Sequence, residues 1–385
     1  MSAIQLTDPD QLLDRFLSVR QHSIDLCSRL AIEDYQVQPM ADASPPKWHL
    51  AHITWFFETF ILKKYIKGYR PHDPRFEALF NSYYNGVGTP YPRYKRGNLS
   101  RPTVQEIIDY RRDIDTAMID LLSGNLSEEI RFRIELGLNH EQQHQELLLT
   151  DIKYNLGNNP LKPCYLDRDN LSEKTAAQVN WHEYEGGLIE IGVSESSSFV
   201  FDNEKPKHKV FLEPFRLASR AVTNGEYLAF MQDGGYERHD LWLSDAWGHL
   251  SNLAERWDSP LYWRRDGDAW LEYTLTGERE VETDAPVCHI SGYEADAFAR
   301  WSGSRLPSEI EWEAAAANTT VSGNFVESEN YHPQAQTGPG IIGIFGDVWE
   351  WTSSGYGPYP GFRSFAGALG EYNGKFMVNQ LVLRG

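Results

Sequence analysis

A break in hydrophobic periodicity near residue 160 divides this chain into two parts that cannot share one architecture. Before it, apolar residues recur every three or four positions, the spacing that gathers them on one face of a helix. After it, apolar runs are short and alternate with polar residues, as half-buried strands do. Gly157-Asn158-Asn159-Pro160 marks the break, because glycine and asparagine end helices and proline cannot continue one. At 385 residues the chain is also long for a single core. Two domains are therefore expected: a helical bundle over 1–160 and an α+β domain over 181–385, joined by a polar linker over 161–180.

Four helices are predicted in the first part. Thr7 or Asp8 can cap the first, whose apolar stripe begins with Leu12, Leu13, Phe16, Leu17 and Val19. The second opens at Ser44-Pro45-Pro46 and runs through Trp48 towards Tyr65. The third starts near Pro102-Thr103 and carries Ile107, Ile108, Tyr110, Ile114, Met118 and Leu121. The fourth extends from about Ser127 to Leu156. Such a set packs as an antiparallel bundle. The connection from Gly68 to Arg101 is long and rich in Tyr, Pro, Gly and Asn, and long ordered loops in compact domains are commonly functional. In the second part, Gly187–Ile191 and His208–Leu212 predict strands, while Asn224–Asp233 and Gly292–Trp301 predict helices, all within a loop-dominated domain.

Charge narrows the function classes. With 36 basic against 55 acidic residues the formal net charge is −19, which opposes binding to nucleic acid or to an anionic membrane. No apolar run reaches the length of a membrane span; the richest, Trp55–Leu62, is interrupted by Glu58. The amino terminus lacks the basic and apolar regions of a secretory signal. Cys27, Cys164 and Cys288 are far apart and form no C-x-x-C pair, so neither a zinc ribbon nor a disulfide framework is supported. The expectation is a cytoplasmic protein acting on small molecules, with its oligomeric state unspecified.

The chemistry-bearing residues cluster in the helical part. His140-Glu141-Gln142-Gln143-His144 puts two histidines four residues apart, on one face of the fourth helix and one turn from each other. Trp48-His49-Leu50-Ala51-His52 lies on the second helix, so either His49 or His52 could supply a third imidazole if the two helices are neighbours. Three imidazoles on two rigid helices leave one side of an ion open, as a catalytic metal requires. The same string also matches H-E-x-x-H, in which the glutamate is the general base of a zinc protease. Against that reading, no further ligand follows downstream at a familiar spacing, and the third histidine lies upstream on another helix.

At these residues the chain resembles the ergothioneine-biosynthesis iron(II) sulfoxide synthases, over nearly its whole length. The first part resembles a DinB-like four-helix bundle through Ser44-Pro45-Pro46-Lys47-Trp48-His49-Leu50-Ala51-His52 and the segment His140–Glu146. The second resembles the formylglycine-generating-enzyme-like domain, a C-type-lectin-like fold. It does so through Pro206-Lys207-His208-Lys209-Val210, Val222–Tyr227, Ser304–Glu313 and Gly346-Asp347-Val348-Trp349-Glu350-Trp351-Thr352. The resemblance implies a multidomain α and α+β fold. It also implies an Fe(II) ion on His52, His140 and His144, with His49 beside the ligands and Gln143 near the histidine-derived substrate. The implied reaction joins a thiol sulfur to the imidazole of hercynine (Nα-trimethylhistidine), with O2 as oxidant and a sulfoxide as product.

Further roles come from the same resemblance. Arg93 and Arg96 match arginines that hold the thiol's carboxylate in part of the family, and a guanidinium fork suits that task. In some members a tyrosine near the iron donates a proton; others place that tyrosine late in the second domain. Because Val378–Gly385 contains no tyrosine, Tyr83 or Tyr84 is expected to be the phenol, with Tyr84 slightly preferred. The family's second domain normally continues past the point where this chain stops, at Leu383-Arg384-Gly385, so contacts to the hercynine trimethylammonium are not carried over. Other readings are a selenium- or ovothiol-type relative of the same chemistry, a copper-dependent formylglycine-generating oxidase, and a lectin-like ligand-binding protein with a structural metal. The oxidase needs a close cysteine pair, which the sequence does not obviously supply.

Overall fold

The structure, a computed structural model, describes residues 9–168, 174–194, 199–252 and 256–385. Thr7 and Asp8, the candidate caps of the first helix, lie outside the described residues, as does part of the linker. The chain forms two compact units, and their boundary is not a single cut. The first unit joins the chain up to Tyr165 with Val193–Pro206 and Tyr359–Lys375. The second takes Leu166–Gly192, Lys207–Pro358 and Phe376–Gly385. Periodicity reports local structure only, and cannot tell which unit a loop will pack against.

Four main helices build the first unit: α1 (Pro9–Ser28), α2 (Pro46–Phe57), α3 (Val104–Leu122) and α4 (Glu128–Gly157). Pro46 opens α2 in the first turn, where its missing N–H costs nothing. Thr103 and Glu106 cap α3 reciprocally, and Ser127 caps α4. Every residue of α2 is buried, so this helix is the centre of the bundle. Trp55, Phe56 and Phe57 are fully buried there, with Phe16 of α1, Ile107 and Tyr110 of α3, and Ile134 and Leu138 of α4 among the other core residues.

A helix buried on all sides must pair its polar groups internally. Lys47 donates to the Leu99 carbonyl at 2.6 Å, and Thr54 to the Leu50 carbonyl at 2.7 Å. The end of α2 widens into a π-helical turn, Glu58–Leu62. There Glu58 accepts from Tyr110 at 2.7 Å, from the His72 amide at 2.8 Å and from Tyr69 at 3.0 Å, which accounts for a buried acid in the apolar run. Gly137 sets how closely α4 approaches α2: a Cβ there would lie 2.8 Å from the Phe57 ring. The late segment Tyr359–Lys375 joins the same unit through polar contacts. Glu371 accepts from the amides of Gly86 and Asn85 at 2.7 and 3.0 Å, and Asp202 accepts from the Phe365 amide and the Asn373 side chain.

The second unit is loop-rich, with small antiparallel sheets. Strand β1 (Trp181–Tyr184) pairs with β4 (Phe215–Ala218), and β2 (Gly187–Ile191) pairs with β3 (His208–Leu212), with Ile191 opposite His208. Strands β5 (Trp263–Asp266), β6 (Ala269–Thr274) and β7 (Gly277–Glu280) form a three-stranded meander, and β8 (Glu350–Gly355) pairs with β9 (Leu381–Arg384). Helices α5 (Asn224–Gln232) and α7 (Gly292–Trp301) form as expected. Two more, α6 (Ser244–Leu250) and α8 (Glu309–Ala316), were not foreseen. Tyr227, Phe230, Tyr236, Trp242 and Trp263 lead one core cluster, and Trp312 with Ile344 anchors a smaller one. Among the described residues no helix is long and apolar enough to cross a membrane.

Candidate metal centre

Helices α2 and α4 bring His52, His140 and His144 together, each offering one ring nitrogen within 4.8 Å of the others. His52 and His140 are buried and His144 is partly buried. His52 donates its Nδ1–H to the Phe80 carbonyl at 2.6 Å, which leaves the Nε2 lone pair free. That Nε2 lies 3.2 Å from Nε2 of His140. Two nitrogens about 2.1 Å from one ion and about 90–110° apart are roughly 3.0–3.4 Å from each other, so the pair has ligand spacing.

Burial holds all three imidazoles well below their ordinary pKa, and neighbouring imidazoles push in the same direction. They are neutral near pH 7, the form that binds metal. His140 Nδ1 has no hydrogen-bond partner among the described residues. The donor set and its spacing thus fit a metal ion. Glu272, Glu282 and His332 of the second unit form another converging group. There, however, Arg279 already supplies positive charge, 2.5 Å from Glu282 and 3.7 Å from Glu272.

The converging group contains His52 and not His49. His49 stands behind it, with Nδ1 3.0 Å from His144 Nδ1 and Nε2 2.9 Å from Asp151 Oδ2. Glu141 rules out the protease reading of H-E-x-x-H. One residue along a helix turns the side chain by about 100°, and Glu141 consequently points away from the histidines. It is fully buried and accepts from Arg111 at 2.6 Å, Ser23 at 2.7 Å and Arg20 at 2.9 Å. Burial raises its pKa, but Arg111 and Arg20 pull harder and the net direction is down. A carboxylate held this way is an anchor, not a base facing a metal.

Of the residues implied by resemblance, Arg96 is buried and Arg93 is exposed. The Arg96 guanidinium lies 3.3 Å from the Trp48 ring centroid, and Trp48 in turn stacks on His52 at 4.7 Å. Arg96 donates to the Ser44 hydroxyl at 2.8 Å, while its Nε has no partner among the described residues. Burial, reinforced by Arg93, pushes its pKa down to about 9. Arg93 lies 3.9 Å from Asp42. Tyr83 and Tyr84 stack on each other, and Tyr84 packs between Trp55 and Phe60 with its hydroxyl buried.

The sequence reading missed Tyr372. Its ring meets His140 edge-on at 5.3 Å, and its hydroxyl donates to Gln143 Oε1. The Tyr83 hydroxyl lies 3.5 Å from its carbonyl. Burial raises the pKa of both Tyr84 and Tyr372 well above the ordinary phenol value, so both keep their protons. One signal pointed to Tyr372: the resemblance implies a tyrosine late in the second domain as an alternative. Tyr372 lies just before Val378–Gly385, the segment expected to hold it.

Comparison with known proteins agrees with this architecture. The DinB superfamily matches residues 15–148, and the sulfatase-modifying factor enzyme 1-like domain matches residues 173–339, in the expected order. The formylglycine-generating enzyme of Streptomyces coelicolor is 29% identical over 222 residues, which span 45% of this chain and 68% of that protein. The hercynine oxygenase of Mycobacterium tuberculosis is 27% identical over 384 residues, 93% of this chain and 87% of the relative. That of Mycolicibacterium smegmatis is 30% identical over 349 residues, 83% and 77% respectively. A likeness confined to one part would identify a domain; one running through both parts shows that the chain belongs to the hercynine oxygenase family.

Proposed function

We propose that this protein is itself a hercynine oxygenase: a non-haem iron(II) enzyme that joins the sulfur of cysteine or γ-glutamylcysteine to the imidazole carbon of hercynine. In the balanced reaction the thiol loses its S–H, the imidazole loses a C–H, and O2 takes up four electrons. One oxygen atom becomes the sulfoxide oxygen and the other leaves as water. The observation that carries this reading is the convergence of three neutral imidazoles, two of them buried, on a spot bordered by Gln143 and Tyr372.

His52, His140 and His144 would hold the ion. When bound, iron(II) would supply a redox-active Lewis-acid site for O2 and for the thiolate sulfur, while the four electrons that O2 takes up come from the two substrates. The protein's own residues bind and orient. Arg96 is a buried cation with an N–H unused among the described residues, a ready partner for the carboxylate of a cysteine-type thiol. The exposed Arg93 adds longer-range attraction. Gln143 reaches towards the hercynine side and holds the Tyr372 hydroxyl. Tyr372 is the phenol we assign to proton donation, because its ring borders His140, whereas Tyr84 is packed against Trp55 and Phe60. Tyr83 and Tyr84 line the same region and are the competing candidates.

The test is anaerobic loading with iron(II), followed by air with hercynine and either cysteine or γ-glutamylcysteine, with products read by mass spectrometry. A hercynyl sulfoxide with one donor establishes the function and names the thiol. No product from a chain holding one iron overturns the assignment.

A further inference from the structure

The three candidate ligands share a residue type but not a support. His52 gives its Nδ1–H to a backbone carbonyl, and His140 Nδ1 has no partner among the described residues. His144 alone is backed by a side-chain relay. Its Nδ1 lies 3.0 Å from His49 Nδ1, and His49 Nε2 lies 2.9 Å from Asp151 Oδ2. The same Asp151 oxygen accepts the Ser44 amide at 2.8 Å, which ties the carboxylate to the segment that opens α2. His49 sits one turn before His52 on α2. Asp151 sits seven residues after His144, two turns along the same face of α4. His49 is 3% exposed and the Asp151 side chain 15%, so water competes little for these bonds.

Only one arrangement of protons satisfies both contacts while His144 offers Nε2 to an ion. His144 Nδ1–H donates to His49 Nδ1, and His49 Nε2–H donates to Asp151. We propose that His49 and Asp151 are positioning residues that fix the tautomer and ring plane of His144 and thereby tighten metal binding. The inference rests on the reading of His52, His140 and His144 as an iron(II) site. A metal-bound imidazole whose second nitrogen is held by an oriented acceptor is both pre-aligned and more basic at the ligating nitrogen. Loss of such support costs about 10–100-fold in metal affinity. The arrangement also explains why an apolar, fully buried α2 carries a second histidine one turn from the first.

The experiment measures metal binding by the full chain, without substrates. Iron(II) affinity is read anaerobically by competition with a chromophoric chelator, and site geometry by the visible spectrum of the cobalt(II)-loaded chain. His49→Phe should weaken iron(II) by about 10–100-fold and shift the cobalt bands. His49→Asn, whose amide oxygen stands near the lost Nδ1, should recover part of both. Asp151→Asn, isosteric but uncharged, should fall between. Melting temperatures of the metal-free variants identify any that fail to fold, and the Asn substitutions then decide. Affinities within two-fold of the parent, with superimposable cobalt spectra, overturn the proposal while leaving the iron assignment standing. A parent chain that binds neither metal overturns the iron assignment, and this inference with it.

Discussion

Two faces of α4, offset by one residue, do opposite things with the same four-residue spacing. His140 and His144 turn towards α2 and present neutral rings that converge with His52. Glu141 and Gln145 turn towards α1 and α3. There Glu141 is gripped by Arg20, Ser23 and Arg111, while Gln145 donates to the Val19 carbonyl at 2.8 Å and to Ser23 at 2.9 Å. Arg20 is in turn held by Asp115 at 2.6 Å. One face is left with lone pairs to give; on the other, both oxygens of the glutamate already have their donors. The contrast teaches that H-E-x-x-H describes a spacing, and that the surrounding helices decide which of its members does chemistry.

The sharpest break of this contrast is His140→Ala. It should abolish stoichiometric iron retention and reduce turnover at least 100-fold, with little change in the unfolding curve of the metal-free chain, because a bordering ligand is lost. Retained iron would mean that the ligand set is wrong. Glu141→Gln should do the reverse. Breaking a buried ion pair costs about 3–5 kcal/mol, to be read by urea denaturation, while the iron affinity of the folded fraction stays near that of the parent. The carboxyl's folded pKa lies below its ordinary value, so its stabilisation is full above about pH 4.3 and is lost as pH falls through the folded pKa. The Gln variant should therefore lose less stability than the parent on acidification below about pH 4.

Two smaller effects sharpen the ligand face itself. Arg96→Leu should raise the thiol's KM by about 10–100-fold, the worth of one charge-assisted hydrogen bond, and change that of hercynine far less. An equal effect on both would remove Arg96 from the thiol side. Tyr372→Phe should divert product from sulfoxide towards oxidised thiol by several-fold, and Tyr84→Phe by less. The opposite ranking would return the phenol role to the loop pair.

What the sequence disclosed follows from distance along the chain. His140 and His144 were legible because a helix fixes the relation of residues four apart. His52 was legible only as one of two, and the resemblance chose it over His49. The start of α3 was legible at Thr103, and Ser308-x-x-Glu311 would equally have announced α8, whose reciprocal cap is present. The roles of Arg20 and Arg111 were not legible, since only packing brings two arginines from separate helices onto one glutamate. Tyr372 was hidden for a different reason. It follows a short 3-10 turn, Gly367–Glu371, in a segment with no periodicity, and it is one of 20 tyrosines. The acids and amides that carry it to the bundle, Glu371 on Gly86 and Asp202 on Phe365, form no pattern in one dimension.

The 229 positions separating Gln143 from Tyr372 also set an order of events on the ribosome. At about 5–20 residues per second, the bundle's histidines are synthesised some 10–50 s before the phenol that borders them. On the proposed iron assignment, a nascent chain presents its three converging imidazoles before Tyr372 has been made. On that assignment metal acquisition precedes the arrival of the proposed proton donor, and a pause in translation after α4 would lengthen the interval between them.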